Sequence, residues 1–450
     1  MVEALQAQVA ELIARLGQNS QNSSKPPSSD SPFTKPAPKS LRGKSGRKPG
    51  GQPGHSGSTL AQVADPDETL WHEPGPCAGC GAGLAGATQV GVQRRQVFDL
   101  PPMTVRVIEH RLVARRCGCG VTTCGDAPAG VTAPVQYGPR ITAIVLYLYV
   151  GQFLSRSRTA QALGELFGTP VGEGTVVTMT KRAADGLEDF LGRVTDRLAA
   201  AEVAGFDETG MRVAGSLHWV HCARTDKYTL ITCHPRRGRK GIDAAGVLGR
   251  FRGVAVHDAW APYDTYLHLE HQLCCAHALR ELAGVAETTP PETDWCWATQ
   301  AADALVALQH LVTEAIAAAA DTLDPDALTE QIHRYRSAAQ IGIAQTAARR
   351  DTAMKKHNAL ARRLIDRQDD YLRFTHDWRI PADNNGSERD IRMIKLRQKV
   401  SGCLRTLAGA QQFCAIRSYL STAAKHGKHF FDTLVMLAEG RPWLPEISMT

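Results

Sequence analysis

The sequence predicts an α+β multidomain protein: a mixed α/β core, an all-α insertion within it, a small cysteine module ahead of it and a short coiled coil at the N-terminus. Three observations carry this. Between 201 and 258, three strand-like runs, a helix and a fourth strand follow one another. From 283 to 380 the pattern is mostly helical. Ahead of both, Cys77/Cys80 and Cys117/Cys119 stand at metal-ligand spacing. A length of 450 residues allows two to four domains. The formal charge of +7 permits a nucleic-acid partner without requiring one. Ile141 to Leu154 is apolar but too short to cross a membrane, and Arg140 and Arg156 bracket it. The N-terminus lacks the pattern of a signal peptide. Twelve cysteines, several at metal spacing, fit a reducing cytoplasmic setting, here nucleoid-associated.

Residues 1–16 place Leu5, Val9, Leu12 and Leu16 on a coiled-coil seam about two heptads long. Such a seam is too short to hold a zipper alone, so self-association and docking on its own domain are both open. Residues 17–64 are a low-complexity linker that cannot bury a core. Its Lys35, Lys39, Arg42, Lys44, Arg47 and Lys48 are nearly unopposed by acids, which suits DNA backbone contact by counterion release.

Residues 65–135 form the cysteine module. In Cys77-Ala-Gly-Cys80-Gly the glycines let backbone amides point at sulfur. Cys117-Gly-Cys119-Gly follows, then Cys124, with Gln96–Leu100 and Val105–Ala114 expected as strands of a zinc ribbon. Four thiolates suit structural Zn2+ and leave no open position. Cys119 or Cys124 is the fourth ligand, with Cys119 favoured. Residues 136–200 read as helices Ile141–Phe153, Arg158–Phe167 and Gly174–Ala200. The turn at Gly168–Gly172 admits a helix-turn-helix, or merely a helical linker.

Residues 201–282 begin the core, with strands at Val203–Val213, Ser216–Arg224 and Tyr228–Cys233. The basic loop Pro235–Gly241, a helix at Ile242–Arg250 and a strand at Gly253–His257 follow. This order matches the start of a ribonuclease-H-like fold. That fold carries one aspartate in mid-strand and a second at the end of the fourth, neighbouring strand, the places of Asp207 and Asp258 here. Cys274 and His277 have ligand spacing but no identifiable further ligands. His277 and Arg280 read equally as a phosphate-facing helix side or as core. Residues 283–380 are the all-α insertion, with helices at Ala298–Ala320, Ala327–Ala348 and Thr352–Arg367. Residues 381–440 close the core, and 441–450 are a tail. Pro381–Asn385 offers a turn and a helix cap, and Glu388 falls in the first helical turn. Arg389, Arg392 and Lys395 follow it as a basic face for DNA. Asp390 competes with Glu388 but points about 200° round the helix.

Asp207, Asp258 and Glu388 are the candidate catalytic residues. Phosphodiester chemistry needs an activated hydroxyl and a stabilised leaving oxygen, which two Mg2+ or Mn2+ ions about 4 Å apart provide. Hard oxygen ligands suit those ions, and three carboxylates leave positions open for phosphate and water.

The chain resembles the insertion-sequence transposases of family 66, in the DDE superfamily, over nearly its whole length. The resemblance rests on Asn22–Asp30, the Cys77/Cys80 and Cys117/Cys119 module, Asp207-Glu-Thr-Gly, His257–Tyr263, Cys274–Leu282 and Asn384–Arg392, continued through Lys395, Ser401–Cys403 and Ile416–Tyr419. It implies a DDE triad at Asp207, Asp258 and Glu388, a zinc module and a helical insertion before the glutamate. It also implies double-stranded DNA partners, both inverted-repeat ends and target, and companion proteins encoded beside the transposase. A homo-oligomer on DNA and no membrane partner are expected. The Cys-x-Cys pair departs from the commoner Cys-x-x-Cys, and the N-terminal coiled coil is shorter than usual. Two other functions fit the same residues: a DNA-binding protein without catalysis, and a nuclease that cleaves without joining strands.

Overall fold

The computed structural model describes residues 57, 59–101, 103–289, 293–347 and 352–446. The expected coiled-coil helix and Lys35, Lys39, Arg42, Lys44, Arg47 and Lys48 lie outside them. Pro38–Arg106 forms one compact unit, and the chain from Val107 onward belongs to a second.

The described part of Pro38–Arg106 contains no helix or strand. Its Cys77–Ala82 turn is closed by Cys77 N donating to the Ala82 carbonyl and Gly81 N to the Cys77 carbonyl, both at 2.8 Å. Gly81 has φ +75°, which favours glycine. The ribbon strands expected at Gln96–Leu100 and Val105–Ala114 do not form. No neighbouring segment completes a ladder with them, and Val97, Leu100, Val107 and Ile108 stay exposed. Only Ala114 joins a strand. It opens a hairpin of β1 (Ala114–Arg116) and β2 (Thr122–Cys124), turning through Cys117–Gly120.

Past the hairpin come α1 (Pro139–Leu146), a π-helical turn Tyr147–Gly151, α2 (Arg156–Phe167), α3 (Glu173–Asp185) and α4 (Glu188–Ala199). The single helix expected over 174–200 is therefore two, broken at Gly186–Leu187. Helix α4 buries Phe190, Val194 and Leu198 at four-residue steps, one face of the cylinder. These helices share a core with the sheet.

That sheet holds β3 (Val203–Val213), β4 (Ser216–Arg224), β5 (Thr229–His234), β6 (Val254–His257) and β7 (Glu270–Leu273), ordered β5-β4-β3-β6-β7. Strands β3, β4 and β5 pair antiparallel, while β3–β6 and β6–β7 are parallel. Between β5 and β6 the expected nine-residue helix shrinks to α5 (Arg239–Asp243). The four-residue edge strand β7 is too short for alternation to have flagged it.

Helices α6 (Cys275–Ala286), α7 (Trp297–Ala317), α8 (Pro325–Ala347), α9 (Thr352–Asp366) and α10 (Gln368–Leu372) form a second core, which touches the sheet through Val256 and Leu273. The chain then returns to the sheet as α11 (Asn385–Ser401), α12 (Leu407–Lys425) and α13 (Phe430–Ala438). Here α11 packs across β3, and α12 across β5. Among the described residues no helix is long and apolar enough to cross a membrane.

Candidate active site

Asp207 lies in the middle of β3, where one face of the strand meets α11. The parallel register sets Gly205 against Val256. Continued by two residues, it brings Asp207 beside Asp258, one residue past the end of β6. Helix α11 can approach this closely because position 205 is glycine. A Cβ there would lie 2.5 Å from Ser387 Oγ and 2.8 Å from Asn384 Oδ1.

Asn384 is not the side-chain cap expected of it. Its Nδ2 donates to the Phe206 carbonyl at 2.6 Å, its Oδ1 accepts from Ser387 Oγ at 2.6 Å, and its backbone N donates to Cys274 Sγ at 3.1 Å. One amide thus fastens the N-terminus of α11 to both β3 and the start of α6. Glu388, in the first turn of α11, is thereby aimed at the same sheet face, where the helix dipole favours an anion.

The electrostatics register this convergence. Burial raises the Asp207 carboxyl well above its usual range, and the charges of Glu208, Asp258 and Glu388 push it further. Asp258 is pushed up to about 7 by burial and by Glu208, with Arg237 opposing. The three carboxylates do not all approach within 4.8 Å of one another. Hard carboxylate donors converging from β3, β6 and α11 nonetheless fit Mg2+ or Mn2+.

The competing acid is claimed elsewhere. Asp390 Oδ2 sits 2.8 Å from Lys425 Nζ, 3.2 Å from Arg224 Nε and 2.9 Å from the donating hydroxyl of Thr229. Of the expected phosphate contacts, Arg389 and Arg392 are exposed, whereas Lys395 donates to the Gly210 carbonyl at 2.9 Å. His277 and Arg280 both turn to Glu388 Oε1, at 3.7 and 3.1 Å. Burial, with Arg280 and Arg363 nearby, lowers His277 to about 3, so it is neutral and Arg280 carries the ion pair. Cys274 and Cys275 are buried thiols, and burial is the main cause that raises both. Each is hydrogen-bonded within the core, which fits packing and not zinc.

Sequence reasoning missed the far side of β3. Glu208 is buried there, held by Arg237 and by the Tyr263 hydroxyl. The Asp207-Glu-Thr-Gly motif contained the residue, but its partners lie in loops that spacing cannot pair with it. Among the described residues one group has donors close enough to share a metal: His257, Asp264 and His271. Its atoms are already committed. His257 Nε2 and His271 Nδ1 share a hydrogen bond of 2.9 Å, and Arg367 holds Asp264 at 2.9 Å.

In the cysteine turns, backbone amides lower the thiols as a zinc knuckle requires. Those of Cys80 and Gly79 act on Cys77, and that of Cys119 acts on Cys117.

Residues 134–412 match the family described as "Transposase IS66 family". Residues 74–120 match the "zinc-finger binding domain of transposase IS66", a span that includes Cys77, Cys80, Cys117 and Cys119 and ends before Cys124. Residues 1–61 match a family of unknown function. No curated protein matches the chain. The match over 134–412 spans more than half of the 450 residues, and the chain belongs to the IS66 transposase family.

Proposed function

We propose that the protein is a metal-dependent DNA transposase of the DDE type, with Asp207, Asp258 and Glu388 as its metal-binding acids. One observation carries this: acids from three separate elements converge on one sheet face, where Asp258 and Glu388 both push the Asp207 carboxyl up. Acids gathered at one buried place suit divalent cations, whose charge offsets theirs. The order β5-β4-β3-β6-β7 supports a ribonuclease-H-like core. The ions supply activation of the attacking hydroxyl and charge stabilisation at the departing oxygen. The chain's own groups do the rest. Asp207 and Asp258 are fixed by the sheet and Glu388 by Asn384. Arg389 and Arg392 are placed to receive the DNA backbone. Arg280 holds Glu388 in place by their ion pair.

Structural zinc belongs to the zinc finger, with Cys77, Cys80, Cys117 and Cys119 as its ligands. The finger and the basic stretch from Lys35 to Lys48 bind the inverted-repeat ends. The protein works as an oligomer on DNA, with companion proteins of the same element.

The test uses DNA carrying the element's inverted repeats with Mg2+ or Mn2+, comparing wild type with Glu388→Gln. Cleaved and joined products from wild type alone support the proposal. Cleavage without joining makes the protein a nuclease. Equal activity in the variant removes Glu388 from the site.

A further inference from the structure

We infer that Arg237 and Glu208 are positioning residues for the three-acid site: together they clamp the turn carrying Asp258 onto the strand carrying Asp207. The inference rests on the reading of Asp207, Asp258 and Glu388 as the metal-binding acids, and adds the parts that fix two of them.

Glu208 follows Asp207 on β3, so its side chain points to the opposite face of the sheet. It is fully buried. A carboxylate in that position is costly unless matched by charge and hydrogen bonds. Arg237, from the loop after β5, donates twice to Oε1, from Nε at 2.9 Å and Nη2 at 2.6 Å. The Tyr263 hydroxyl donates to Oε2 at 2.7 Å. The Arg237 guanidinium also lies 3.9 Å over the Trp260 ring and 4.8 Å over that of Trp219.

Trp260 and Tyr263 belong to the turn that begins at Asp258. The Trp260 backbone N donates to Asp258 Oδ1 at 3.3 Å. The turn is therefore tied to the neighbour of Asp207 twice, by the Tyr263 hydroxyl directly and by Trp260 through Arg237. A guanidinium suits this place because its fork grips a carboxylate while its flat face stacks on indole. Without it, an unmatched negative charge would sit behind both aspartates.

The test is Mn2+ binding to the full-length, zinc-loaded chain by calorimetry. It compares wild type with Arg237→Gln, Arg237→Lys, Glu208→Gln, Tyr263→Phe and Asp258→Asn. Asp226→Asn, which alters an exposed acid, is the control. We expect Arg237→Gln and Glu208→Gln to weaken Mn2+ binding by about tenfold or more, the range of a lost outer ligand support. Arg237→Lys should recover part of that loss, with the melting temperature near that of wild type. Unchanged Mn2+ affinity in folded Arg237→Gln and Glu208→Gln, with affinity lost in Asp258→Asn, overturns the inference and leaves the three-acid reading standing. Unchanged affinity in Asp258→Asn sinks both. Should Arg237→Gln fail to fold, unchanged affinity in both Arg237→Lys and Tyr263→Phe overturns the inference.

Discussion

Glu388 and Asp390 sit two residues apart on α11 and meet opposite fates. Asp390 is enclosed by Arg224, Lys425 and Thr229, with its side chain 18% exposed. Glu388 pairs with Arg280 and lies near enough to Asp207 to help raise its carboxyl. The predictions for the pair therefore cross. Asp390→Asn should cost about 3 kcal/mol of stability, by leaving Lys425 without its acid and Arg224 with only the exposed Asp226, while sparing Mn2+ binding. Glu388→Gln should weaken Mn2+ binding and abolish strand cleavage with little change in stability. Denaturant midpoints and metal titrations of the two variants decide. His221 gives a second prediction at this scale. It is buried, and burial lowers it to about 4. The unfolded chain takes up this proton near pH 6.5 and the folded chain only near 4, so the unfolded state binds more protons in between. Stability is therefore lost as pH falls through that window, by up to about 3 kcal/mol from this residue. Urea midpoints at pH 7 and pH 4.5 should differ less in His221→Gln than in wild type.

At the scale of elements, the site depends on how closely α11 lies on β3. Gly205 leaves the space and Asn384 takes it. A methyl at position 205 would press on Ser387 Oγ and Asn384 Oδ1, which are bonded to each other at 2.6 Å and have little freedom to yield. Gly205→Ala should shift Glu388 away from Asp207 and lower strand cleavage by about a hundredfold, the scale of a small misplacement at a reacting centre. The circular-dichroism spectrum should stay that of a folded protein. Wild-type cleavage rates in Gly205→Ala would show that the α11 contact does not set the geometry. Elements also show the limit of periodicity. The strands around Asp207 and Asp258 are legible because their apolar runs are long or end on an acid. The break at Gly186–Leu187 is not, because the buried positions Val176, Thr180, Ala183, Leu187, Phe190 and Val194 keep helical spacing across it.

Across the whole molecule, the proposed function assigns zinc to the cysteine turns and divalent cations to the sheet. The two should respond separately. We expect one zinc per chain by elemental analysis, lost in Cys77→Ser and Cys119→Ser and retained in Cys124→Ser. Mn2+ binding by the three acids should persist in all of them. Zinc lost in Cys124→Ser but kept in Cys119→Ser would exchange the fourth ligand.

The sequence by itself determined the family, the cysteine turns and the succession of sheet and helices, and it put forward the three acids. Each of these is written locally: Asp207 inside an apolar run, Asp258 at the end of one, Glu388 just inside a helix, and Cys-Gly pairs at fixed spacing. Only the tertiary structure decided which acid faces the site, since Glu388 and Asp390 differ in partners brought from 108 and 35 residues away. It also decided that Arg280 is held by Glu388 and Lys395 by a strand carbonyl, and that Glu208 is a buried, paired acid. Spacing records the direction in which a side chain points. The free energy of a charged group is set by what surrounds it in space, and those neighbours come from elements far away in sequence.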